Sequence, residues 1–126
     1  MNKIITVMAV LMLTACANNP PEQHPDPDAV LDKLWVYSDT GALQCEPDSG
    51  MSIDESADIL NSHGVEVSDS KTGQKSQMAV IAMCGGPTLD IYLHQVASDN
   101  LEDAKSLGFD PITDLESEDG AGYTLQ

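Results

Sequence analysis

The chain has 126 residues, with 21 acidic side chains against five basic ones, all of them lysine, for a formal net charge of −16. Nucleic acids and anionic lipid surfaces are polyanions that bind clustered Lys or Arg, so both are excluded as partners. The length allows one domain, and the few aromatic side chains leave a small core marginal on burial alone. The acidity reads as a solvated, soluble surface, with a saline habitat or weak cation binding as the alternatives.

In chain order, Met1 and Lys3 give a positive start, residues 4–13 (IITVMAVLML) are an apolar run, and Leu13-Thr14-Ala15-Cys16 closes it. Ten residues are far short of the roughly 20 that cross a bilayer, and the layout is that of an export signal ending on a cysteine. It resembles the lipobox of bacterial lipoproteins, a resemblance confined to the first 16 residues. It implies cleavage of residues 1–15 and acylation of Cys16, three lipid chains together making attachment to the bilayer lasting. It also implies the outer membrane, facing the periplasm, because Ala17 stands where an Asp would favour inner-membrane retention. The mature chain then keeps four lysines against 21 Asp and Glu, a charge of −17. Residues 16–30 hold four of the seven prolines and read as a tether, extended at about 3.1 Å per residue and able to hold the domain roughly 40 Å from the lipid. Once Cys16 is lipidated, Cys45 and Cys84 remain as an even pair in an exported chain, and a disulfide is the default. A reactive thiol and a metal ligand are the alternatives; neither cysteine sits in a CxxC or beside a histidine.

Residues 31–113 form the domain, and 114–126 read as an acidic, loose tail in which Tyr123-Thr124-Leu125 can pair as an edge strand. Residues 34–37 (LWVY) predict a strand, and 42–46 a short return strand carrying Cys45. Ser52-Ile53-Asp54-Glu55 is a capping box, and Ile53, Ala57 and Leu60 share one face of a helix over 53–63 that stops at Gly64. Val65 and Val67 alternate with polar residues in a strand over 65–68, and the polar segment 70–76 reads as a turn. The continuous apolar run 78–83 (MAVIAM) suits a central strand buried on both faces. After the turn Gly85-Gly86-Pro87-Thr88, residues 89–96 alternate, with Leu89, Ile91 and Leu93 on one face and Asp90, Tyr92 and His94 on a polar one. Asp99-Asn100-Leu101-Glu102 repeats the capping pattern before a short helix stopped by Gly108, and 109–112 form a last strand. The sum is an α+β two-layer sandwich, two helices on one face of a mostly antiparallel sheet, compatible with a ferredoxin-like βαββαβ order plus an extra hairpin strand.

Catalysis needs converging groups, and the chain offers few. There is no G-x-S-x-G. His24 lies in the tether, His63 at a helix C-terminus favoured by the helix dipole, and His94 on the hairpin. Asp54, Glu55 and Asp58 gather at a helix N-terminus, which explains them electrostatically, and residues 114–120 lack the register of a calcium loop. No catalytic residue, cofactor or metal ligand is assigned. The expectation is a non-enzymatic lipoprotein of the cell envelope that acts by contact with an envelope protein, strand edges being the natural surface. An accessory ligand- or divalent-cation-binding module is the alternative.

Overall fold

A computed structural model describes residues 32–126, so the lipobox, Cys16 and the tether lie outside the described residues. Strand β1 (Lys33–Asp39), helix α1 (Ile53–Ser62), strands β2 (Asp69–Lys75) and β3 (Asp90–Ala97), helix α2 (Leu101–Ser106) and strands β4 (Asp110–Pro111) and β5 (Tyr123–Leu125) follow in order. They build one sheet in the order β4-β1-β3-β2-β5, with every neighbouring pair antiparallel. The first six elements run βαββαβ, the ferredoxin-like order. The extra strand is the C-terminal β5.

Helix α1 starts where its capping box dictates. The Glu55 amide donates to the Ser52 hydroxyl at 3.2 Å, and the Ser52 amide donates to the Glu55 carboxylate at 2.7 Å. Hydrogen bonding of the Glu55 carboxylate to the Ser52 backbone amide, and then to its hydroxyl, holds the Glu55 carboxyl below its usual value. Helix α2 has no such cap: a 3-10 turn over Ser98–Asn100 leads into it, and Asn100 makes no side-chain cap bond. Both helices cover the same face of the sheet. Leu60 of α1 and Ala104 of α2 pack with Val65 and Phe109 onto Val36 and Val96, each large buried side chain contributing about 1.5–3 kcal/mol.

The opposite face is covered by the end of the chain. Ile91 and Leu93 of β3 pack with Ile112, and Trp35, Tyr37, Leu115 and Tyr123 close around them. Within the segment read as a loose acidic tail, Tyr123-Thr124-Leu125 makes the edge strand that was allowed for it, paired with β2. Gly122 sets the approach: it sits at φ 70°, and a Cβ there would run into the Leu115 carbonyl. Burial, then the carboxylates of Asp110, Asp114 and Asp39, raise the Tyr37 phenol above its ordinary value.

Four expectations about the strands and turns are corrected. Residues 78–83 form no central strand; they are irregular and exposed. Residues 70–76, read as a turn, instead supply β2, between β3 and β5. The strand expected over 65–68 is an extended lead-in, joined to the sheet by the Ser68 amide donating to the Gln95 carbonyl at 2.9 Å, while 42–46 makes only isolated bridges.

The physical reason lies in how polar side chains fill the β2 position. The Lys71 ammonium sits 4.8 Å from the centre of the Trp35 ring, and that of Lys75 lies 5.6 Å from the Tyr37 ring and 2.6 Å from Asp39. Their hydrocarbon stems thus cover aromatic surface that an apolar strand would otherwise cover. Gly73 is buried and leaves space where a Cβ would stand 2.9 Å from the Thr124 carbonyl oxygen and 3.0 Å from Leu93. Hydropathy does not register either device.

Candidate contact surface

The segment displaced from the sheet, residues 76–89, links β2 to β3 and is held from several sides. The predicted pair Cys45 and Cys84 forms a disulfide, with Cα atoms 5.0 Å apart. Gln44 beside it acts as a clamp. Its side-chain amide donates to the carbonyls of Ile81 at 3.0 Å and Pro87 at 2.9 Å, and its oxygen accepts from the Met83 amide at 3.2 Å. Backbone bonds add to this: Gln44 N–H to the Gly86 carbonyl, Gly85 N–H to the Gln44 carbonyl, and Thr88 N–H to the Ala42 carbonyl. At the other end the Ser76 amide donates to the Gly122 carbonyl at 2.8 Å, and the Ser117 hydroxyl donates to the Gln77 side chain at 3.2 Å. Cys45 and Gln77 adopt left-handed backbone conformations (φ 67° and 62°), which non-glycine residues hold only where the surroundings impose them.

What this framework presents is apolar. Met78, Val80, Ile81 and Met83 are 57%, 41%, 80% and 58% exposed. Behind them lies a groove of about 250 Å³ whose walls include Leu43, Met78, Val80, Pro87 and Leu89, with Lys75 and Asp90 at its polar side. Scattered surface apolar residues need no explanation, but four exposed within six consecutive residues of so acidic a chain make this segment the candidate contact surface. The open sheet edges, by contrast, are small: β4 has two residues and β5 three, and Pro111 removes a donor from β4.

The histidines separate. His63 is exposed at the end of α1, its Nδ1 2.8 Å from the Ile59 carbonyl. His94, read onto a polar face, is instead fully buried on the helix-covered face of β3. Its Nε2 lies 2.9 Å from the hydroxyl of Ser56 on α1, its Nδ1 2.7 Å from that of Ser70 on β2, and Phe109 meets the ring edge-on at 5.8 Å. Two hydroxyls can serve a neutral imidazole, one as donor and one as acceptor, and burial holds the ring's pKa below its ordinary value. Neither Ser56 nor His94 has exposed surface, so no substrate reaches the pair. Spacing placed His94 opposite Ile91 and Leu93 correctly; that its own face is also buried was invisible without knowing where α1 lands.

Among the described residues, no group of three His, Cys, Asp or Glu side chains gathers in a way that could hold a metal ion. The acidic stretch after Asp114 closes instead into a turn in which Ser117 and Gly120 exchange backbone bonds of 2.9 and 3.1 Å. No protein-family model, curated protein sequence or solved structure matches this chain.

Proposed function

We propose that the chain is an acidic lipoprotein of the cell envelope, anchored through acylated Cys16 to the outer membrane and facing the periplasm. It works without catalysis, by contact with another envelope protein. The observation that carries the reading is the apolar tip at 78–83, held out from the domain by the Cys45–Cys84 disulfide and the Gln44 clamp. Holding an apolar segment in one shape lowers the ordering cost of binding, a provision suited to recognition. The lipobox and proline-rich stretch supply the address, and the disulfide fits an oxidising compartment.

Two measurements test this. Replacing Cys16→Ser releases the protein from the membrane fraction, and an unchanged distribution removes the anchor. A photoreactive side chain carried in turn at the exposed positions 66, 81, 103 and 124 of the full chain, in the cells that make it, yields a discrete protein adduct from at least one of them. Adducts from none of the four remove the contact role.

A further inference from the structure

Residues 76–89 occupy a defined pole of the domain. Strand β1 enters at Lys33, opposite Ala97, and leaves at Asp39, opposite Ile91. Strand β2 ends and β3 begins at that same end, where Gln74 pairs with Asp90. Seven residues of strand span about 20 Å, so the apolar tip projects from the pole opposite the one where the N-terminal segment joins.

The surroundings of the tip carry one sign of charge. Glu46 and Asp48 are exposed in the turn that follows Cys45. Glu118 and Asp119 are exposed in the turn whose Ser117 bonds Gln77, and Asp90 lines the groove behind Met78 and Val80. The lysine at this pole, Lys75, is already engaged by Asp39 at 2.6 Å. An apolar centre inside a charged rim is the usual anatomy of a protein interface. The sign of the rim disfavours an anionic bilayer, and it disfavours a second copy of this chain, whose own rim would face it with like charge.

Resting on the contact role proposed above, we propose that Met78, Val80, Ile81 and Met83 are the centre of a docking surface for an envelope protein whose own site is an apolar groove rimmed by Lys or Arg. The methionines at both ends of the stretch let the centre adapt to the groove, and the carboxylates set orientation and speed of encounter.

The test starts from the photoreactive side chain at position 81 of the full-length acylated chain, with position 66 at the opposite pole as control. Position 81 yields one protein adduct that position 66 does not. The adducted protein is identified by mass spectrometry, purified, and titrated against the full chain in nanodiscs. Ile81→Ser combined with Met83→Ser weakens this binding by about tenfold or more. Raising NaCl from about 0.1 to about 0.5 M weakens wild-type binding several-fold, and a Glu46→Gln, Asp48→Asn, Glu118→Gln, Asp119→Asn variant is weaker at low salt and loses that dependence. An adduct to lipid, an adduct to a second copy, or a partner whose binding ignores both variants overturns the proposal. So do adducts at 66, 103 or 124 without one at 81, an outcome that leaves the contact role standing; adducts at no position remove both. Circular dichroism of the variants, unchanged from wild type, shows that lost binding is not lost folding.

Discussion

Residues 70–75 (SKTGQK) and 78–83 (MAVIAM) are separated by two residues and occupy the places that each other's side chains predict. The polar segment is an interior strand of the sheet, between β3 and β5. The apolar one is outside, on a framework of one disulfide and one glutamine side chain. Burial in a sheet therefore follows what the neighbours can complete, and β3 has only two flanks. One is taken by β1. On the other, a strand carrying Ser70, Lys71, Gly73 and Lys75 satisfies a buried imidazole, lays two stems on aromatic rings and admits β5 closely. An apolar strand there would leave His94 with one unserved nitrogen, at a cost of about 1–3 kcal/mol.

The contrast can be broken most severely by removing the staple. Cys45→Ser with Cys84→Ser should cost up to about 4 kcal/mol by the chain-entropy argument for a loop of this length, read by urea unfolding. Hydrogen exchange should then show protection lost at 76–89 and kept in β2 and β3. Protection gained at 78–83 instead would mean that the apolar run competes for the sheet after all. Next in size is Gly73→Val, which places side-chain atoms against the Thr124 carbonyl and Leu93 and should destabilise by about 1–3 kcal/mol. An unchanged midpoint would show that β2 and β5 are not closely joined.

A third effect depends on pH. Burial lowers the His94 pKa, while the unfolded chain keeps the ordinary value of about 6.5. Between the lowered and the ordinary value the unfolded state binds a proton that the folded state refuses. The stability is fully present above about 6.5 and is lost as pH falls, by at most about 1.4 kcal/mol per unit. Measured as wild type against His94→Gln, which cancels the shared response of the carboxylates, wild type should lose more stability than the variant as pH falls from about 7 to about 5.5. Parallel curves would mean that the ring is not sealed between Ser56 and Ser70. The smallest effect belongs to the apolar side: Ile81→Ser should leave unfolding within about 0.5 kcal/mol of wild type, and a larger loss would place that side chain in the core.

These outcomes bear on what could be read in advance. Helix α1 was legible in full, because the Ser52 and Glu55 cap and the Gly64 stop are local signals that need no partner. The face shared by Ile91 and Leu93 and the edge strand at Tyr123-Thr124-Leu125 were legible for the same reason, and the Cys45–Cys84 pairing from the count of cysteines left after Cys16. The identity of β2 was not. Its stabilisation comes from Trp35, Tyr37, His94 and Thr124, residues from 24 to 51 positions away in sequence, and a window of hydropathy cannot contain them. The apolar tip was misread for the complementary reason: a run of six apolar residues looks the same whether a sheet or a partner covers it.

Strand β2 pairs with β3 and with β5, both of which come after it in the chain. A segment in that position spends the interval before they are synthesised with both flanks bare. An apolar β-former in the same state would be a ready template for aggregation with neighbouring chains. Written as Ser-Lys-Thr-Gly-Gln-Lys, it can wait in water until its partners arrive.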